Sequence, residues 1–600
     1  MENTKKIKTR DEIEPKYKWA IDKIYSNESL WEEDFSKLKE LTPKLSHYEG
    51  KLSDGKELFN FLKLDEEISR LAEKLHIYAH CRADEDTANT KYQALWNKIV
   101  SFIPQINAEK SFFLPEILAM DEKHLLKEIE NIPELKIYSF AINDILNLKP
   151  HTLSKGEERI LAAVSDSLEA PANIFNILSN ADMTFPKIKD ESGIEVELSD
   201  KNYSIYITSK DRRVREDAFK TLFSTYEKFK NTFATSLTSS MKAFIFNSQM
   251  RKYSSSLESS LKPNNIPLEV YYKTIETINN NLSALHRYVK IKKQLLGLEE
   301  IHMYDLYVPI INTPDIEVSY EDGVKLIEKG LNPLGEDYLK IFKGGIKEGW
   351  VDVYENKCKR GGAYSTGSYD TMPYILLNYH NKINDVSTLA HEMGHSIHSY
   401  YSNKTQPYIY SNYTLFCAEV ASITNECILI DYLIKNEQDK LKKLYYINNE
   451  LEQIRTTVFR QVMFAEFEMI TQGELEKGTP LTSEELCNIW HDLNVKYFGP
   501  EMIVDKEIDM EWARIPHFYY NFYVYQYATG FAAANSFSER ILKGEEGALE
   551  NYISFLKSGG SDYPINLLKK AGVDMTTSKP MEDTINRFNE LLDMLEETIS

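Results

Sequence analysis

VSTLAHEMGHSIHSYYS (386–402) carries two histidines, His391 and His395, four residues apart. Asn384 and Asp385 precede it; both are good N-caps, and a helix is predicted to begin there. At 3.6 residues per turn, the two imidazoles project from one face one turn apart. They can reach one metal ion at about 2.0–2.1 Å. Glu392 points slightly around the same helix, so its carboxylate can bond a metal-held water without ligating the metal. Two neutral nitrogens plus one carboxylate suit zinc and leave a position open for water.

A carboxylate from a separate helix is needed to complete that set. Glu419 lies in LFCAEVASITNE (415–426), an otherwise apolar helical stretch in which a lone Glu is costly to bury unless paired or metal-bound. Glu426 follows seven residues later on the same face and is a candidate acceptor for the N–H of a ligand histidine. His398, seven residues after His391, is assigned a supporting role, because three histidines plus Glu419 would close the site to water. Met393 and Gly394 are read as packing, the glycine allowing a second helix to come close. Cys417 is read as a small buried residue.

Around this centre the chain reads as mainly α. It has 600 residues, 42% hydrophobic and 27% charged, with only 24 Gly and 20 Pro to interrupt helices. Six hundred residues exceed a single core, and two lobes are expected, 1–200 and 201–600. LFNFLKLDEEISRLAEKLHIYAH (58–80) has helix-period apolar spacing. SGIEVELSDKNYS (192–204) alternates like a short hairpin or strand pair, and KRGGAYSTGSYDTMPYILLNYH (359–380) reads as a small sheet.

The net charge of -21 argues against nucleic-acid backbones and anionic membranes as partners. Five scattered cysteines without a C-x-x-C pair support neither a disulfide framework nor a zinc ribbon. The N-terminal residues lack a signal-peptide pattern and no run of about 18 apolar residues occurs, so a cytoplasmic address is expected. No obligate protein partner is evident.

HEMGHSIHSYY (391–401) followed by FCAEVAS (416–422) resembles the thimet oligopeptidase superfamily of zinc metallopeptidases, in its oligoendopeptidase F branch. RGGAYS (360–365), RIPHFYYNFYVYQYATG (514–530) and GGSDYPINLLKKAGVDM (559–575) extend the likeness. The resemblance implies one zinc per chain, held by His391, His395 and Glu419 with Glu392 as general base. It implies two helical lobes around a deep channel, and cleavage of internal bonds in short, unstructured oligopeptides. Gly361, Gly362 and Ala363 match the edge strand that takes substrate backbone by β-augmentation. His517 matches a group that donates to the tetrahedral oxyanion, together with one of Tyr520, Tyr523 and Tyr527. Tyr523 and Tyr527 are expected on one helix face, with Tyr520 a turn earlier. A metallo-exopeptidase and a non-catalytic peptide-binding protein are the alternatives.

Overall fold

Helices make up most of the chain, which the computed structural model describes over residues 6–311 and 316–599. The site depends on six of them: α1 (Gly55–Glu85), α2 (Thr90–Glu109), α3 (Ile383–Thr405), α4 (Leu415–Asn436), α5 (Arg460–Glu476) and α6 (Tyr525–Leu542). Strands are short: β1 (Lys187–Lys189), β2 (Glu195–Glu197), β3 (Ile301–His302), β4 (Val351–Asp352), β5 (Tyr364–Thr366), β6 (Tyr374–Leu376) and β7 (Met502–Ile503). The mainly α class with a small sheet beside the histidine helix is therefore as expected.

Two compact units emerge, neither continuous in sequence. The first comprises Met1–Lys149, Asp315–Tyr432 and Phe537–Gly572; the second comprises Pro150–Pro314, Leu433–Ser536 and Val573–Ser600. The strand pair expected at 192–204 lies slightly earlier and inside the second unit, with Ile188 opposite Val196. The Asp190 carboxylate fixes its turn by accepting the N–H groups of Ser192 and Ile194. Reciprocal bonds between Ser199 and Asn202 then divert the chain into a short helix at Tyr203–Ile207.

In the first unit, β6 is the central strand, parallel to β4 and antiparallel to β5, so β5 is an edge. Tyr374 and Leu376 of β6 join a core with Leu58, Phe61, Leu75 and Tyr78 of α1 and Leu95 and Ile99 of α2. Residues 8–20 run against this sheet. Val353 donates its N–H to the Tyr17 carbonyl at 2.9 Å, and Ala20 to that of Gly349 at 2.7 Å. Asp352, wholly buried, is neutralised by Arg10 and by Lys359, each at 2.7 Å. Unpaired, that carboxylate would be strongly destabilising.

The histidine helix does not start as expected. Lys382 is the N-cap of α3, and Asp385 sits at the third helical position, its carboxylate accepting the N–H groups of His380 and Lys382 at 2.8 Å. This is the return half of a capping box, which satisfies the same orphan donors from inside the helix. α4 crosses α3 backbone to backbone. A Cβ built on Gly394 would fall 2.5 Å from Ser422 Cα and 2.8 Å from the Ala421 carbonyl oxygen. Beside this crossing, Asn425 Nδ2 donates to the Ala390 carbonyl at 2.9 Å, and its own Oδ1 accepts from Tyr338 at 2.8 Å.

Candidate metal centre

His391 and His395 lie on the face of α3 that meets α4, their rings 4.9 Å apart and at 80° to one another. Glu419, in the second turn of α4, brings its Oε2 to 3.4 Å from His391 Nε2 and 3.6 Å from His395 Nε2. One donor atom from each of the three falls within 4.8 Å of the others, close enough to share one metal ion. Glu419 is 39% exposed at its side chain, so the expectation of burial is not met. The α3 face, rather than apolar packing, accounts for it, and Ser422 Oγ steadies it at 3.2 Å.

The far sides of both rings are engaged. Glu426 Oε2 lies 3.3 Å from His391 Nδ1, and the Ala418 backbone hydrogen-bonds His395. These contacts leave both Nε2 atoms aimed at Glu419. Burial would lower the His391 pKa, but the bond to Glu426 and the charges of Glu426, Glu419 and Glu392 together raise it to about 9. His395 moves the other way, to about 4, through burial and the neighbouring His391 charge.

Glu392 is buried beside them. Burial raises its carboxyl to about 6; His391 opposes this, Glu419 and Glu426 reinforce it, and a hydrogen bond from the Ser365 backbone opposes it again. β5 thus packs directly on the HExxH turn, fastened by Ser365 Oγ to Ser396 Oγ at 2.8 Å. Ser365 carries no sequence signal that would have revealed this contact. His398 stands apart from the three-donor group. It stacks on Tyr413 at 3.7 Å between centroids and lies 5.5 Å from Phe555, and burial, followed by the His395 charge, lowers its pKa to about 3.

Gly361, Gly362 and Ala363 lie just ahead of β5 rather than within it. Gly362 has φ +87°, a conformation that favours glycine. Asn378 Nδ2 donates to the carbonyls of Arg360 and Gly362, replacing the strand pairing that would otherwise continue there. A side chain at Gly361 or Gly362 would meet nothing within 4 Å.

His517, Tyr520, Tyr523 and Tyr527 cluster in the second unit, with Tyr527 Oη 3.4 Å from His517 Nε2 and the Tyr523 and Tyr527 rings 5.5 Å apart. They do not share one helix face as expected. Tyr520 ends a 3-10 turn and Tyr527 lies in α6, while Asn521 and Phe522 between them take left-handed φ values of 46° and 59°. Glu468 of α5 holds this turn: its Oε1 accepts the Phe522 N–H at 2.7 Å, and Gln472 donates to Asn521 Oδ1 at 3.1 Å. Glu468 is an acid in the apolar run QVMFAEFEMI (461–470), and the reasoning that singled out Glu419 would have found it.

The sequence profile of peptidase family M3 matches residues 205–587, and one described as oligopeptidase F matches 116–185. The chain belongs to peptidase family M3. It is by family a metallopeptidase, grouping with the oligoendopeptidase F members. Oligopeptidase PepF of Bacillus subtilis (strain 168) is 47% identical over 98% of this chain and 88% of its own length. Crystal structures agree. Oligoendopeptidase-F from Enterococcus faecium is 38% identical with a TM-score of 0.73, over 95% of this chain and 99% of that one. A Chlamydophila abortus chain is 37% identical with a TM-score of 0.94, over 99% of this chain and all of the other. The M3 match thus begins within the second unit and takes in most of that unit and about half of the first. None of the helices among the described residues is long and apolar enough to cross a membrane.

Proposed function

We propose that the chain is a zinc-dependent endopeptidase that cleaves internal bonds of short oligopeptides. The observation that carries this reading is the convergence of His391, His395 and Glu419, with a buried Glu392 beside them and Glu426 behind His391. Two imidazoles and one carboxylate are a donor set that fits zinc with one position left open. When bound, the ion supplies polarisation of the scissile carbonyl and acidification of a water.

The chain's own residues do the rest. Glu392 takes the proton of the attacking water as its oxygen bonds to the carbonyl carbon. In the metal-free protein burial already raises this carboxyl, the direction that suits a general base. As the C–N bond breaks, Glu392 returns the proton to the departing amine. His517 and one of Tyr520, Tyr523 and Tyr527 donate to the oxyanion, each such donor contributing about 3 kcal/mol. Gly361, Gly362 and Ala363 receive substrate backbone, where small residues admit close approach. Glu426 orients His391, and His398 fills the space behind His395.

The deciding experiment follows an internally quenched peptide, blocked at both ends, with wild type and Glu392→Gln, zinc being quantified in each. Cleavage by wild type alone, with zinc in both, supports the proposal. A zinc-loaded wild type that cuts only free-ended peptides indicates an exopeptidase, and a protein that never takes zinc undoes the ligand assignment.

A further inference from the structure

We infer that the cavity beside His395 in the first unit is a substrate side-chain pocket for lysine or arginine, with Glu73 as its counter-charge. This rests on the endopeptidase reading above and names the residue type held next to the cleaved bond.

The cavity encloses about 720 Å³, within the range of small-ligand sites. All of its lining residues belong to the first unit. His395 forms part of its wall, and so do Thr366 and Ser368 at the end of the β5 edge. A peptide laid along that edge would therefore project a side chain into it. The opposite walls come from helix faces at three- and four-residue spacing: Ala72, Glu73, His76 and Ile77 of α1, and Ile103 and Ile106 of α2. The isoleucines and Ala72 can cover an aliphatic stem, as long cationic side chains require.

The charge of the pocket is one-sided. Lys110, the one cation lining it, is held by Asp65 at 2.8 Å. Nearby Arg70 is held by Asp370 at 2.6 Å. His76 is kept neutral, its pKa lowered by burial and then by His80. Glu73 meets no cation within 4.0 Å among the described residues; the Tyr408 hydroxyl donates to its Oε1 at 2.7 Å. Its pKa is raised, chiefly by burial and with help from the Asp370 charge, against the hydrogen bonds from Tyr408 and the Tyr369 backbone and the more distant charge of Arg70. An ammonium or guanidinium entering the cavity would supply a contacting cation in a partly dry site, where such pairs discriminate well.

The test uses doubly blocked, quenched peptides differing only in arginine, norleucine or glutamate at a position beside the cleaved bond. With wild type, kcat/KM for the arginine peptide is expected to exceed that for norleucine at least tenfold, about 1.4 kcal/mol, mostly through KM. In Glu73→Gln, which still offers an acceptor to Tyr408, the ratio falls to about 1–3, the loss falling on the arginine peptide. Equal ratios in the two proteins, or no arginine preference in wild type, overturn the proposal. Binding of the same peptides to Glu392→Gln, with and without Glu73→Gln, is measured by calorimetry. An arginine preference there without cleavage by wild type defeats the endopeptidase reading and leaves the pocket; cleavage without preference defeats the pocket alone.

Discussion

Glu426 meets His391 on its Nδ1 side at 3.3 Å, opposite the Nε2 that faces Glu419. A carboxylate so placed fixes the tautomer and raises the basicity of a ligand nitrogen, and such partners typically affect metal affinity by about 10–100-fold. Glu426→Gln is expected to weaken zinc affinity by about that factor in chelator competition, with kcat largely restored at saturating zinc.

Gly394 has no room for a side chain because its obstacle is the α4 backbone. Gly394→Ala must separate the two ligand-bearing helices, and overpacking of this kind costs about 1–3 kcal/mol or more. Lower thermal stability and lower zinc affinity should appear together. Gly361→Ala, in open space, is the control and should change neither.

In the metal-free protein, Glu392 holds its proton up to about pH 6, above the ordinary value of 4.5. The folded state therefore binds this proton more tightly than the unfolded state. The associated stability is complete below about pH 4.5 and is lost as pH rises through 6. Glu392→Gln removes that loss. Urea titrations of metal-free protein should show the variant more stable by about 2 kcal/mol at pH 7–8, the difference vanishing near pH 4.

Glu468, wholly buried and bonded to the Phe522 N–H, has its pKa pushed up to about 8 by burial, with that bond opposing. Its ionisation subtracts stability progressively until pH passes 8. Glu468→Gln retains an acceptor and should show a flatter stability profile between pH 5 and 9 with near-normal kcat. Glu468→Ala orphans the Phe522 N–H, at about 1–3 kcal/mol, and releases the turn that carries Tyr520 and Tyr523. Its kcat should fall more than its zinc content or KM changes.

The metal-binding cluster was legible because its logic is local: His391, Glu392 and His395 share one helix turn, and Glu419 stood out as an acid in an apolar run. The small sheet at 359–380 announced itself through glycines and alternation. What escaped was set by tertiary choices. Asp385 could serve from the N-cap or from three residues inside, and the chain chose the latter. The helix expected through Tyr520–Tyr527 breaks at Asn521 because Glu468, distant in sequence, captures the Phe522 N–H. The Ser365 backbone contact to Glu392 and the pairing that leaves Glu73 without a cation are likewise meetings of remote segments.

The first unit draws on three separated stretches, the last closing at Gly572. On a ribosome adding ~5–20 residues per second, residues up to Lys149 emerge roughly 20–80 s before that stretch is finished. Arg10 must wait for Asp352, 342 residues further along, before their buried ion pair can form, so the early chain emerges well ahead of its partners. The same delay is a safeguard. The ligand-bearing pair of helices cannot settle into its complete unit until the stretch that closes at Gly572 has emerged, so a chain still short of it has no finished blade to turn on the peptides around it.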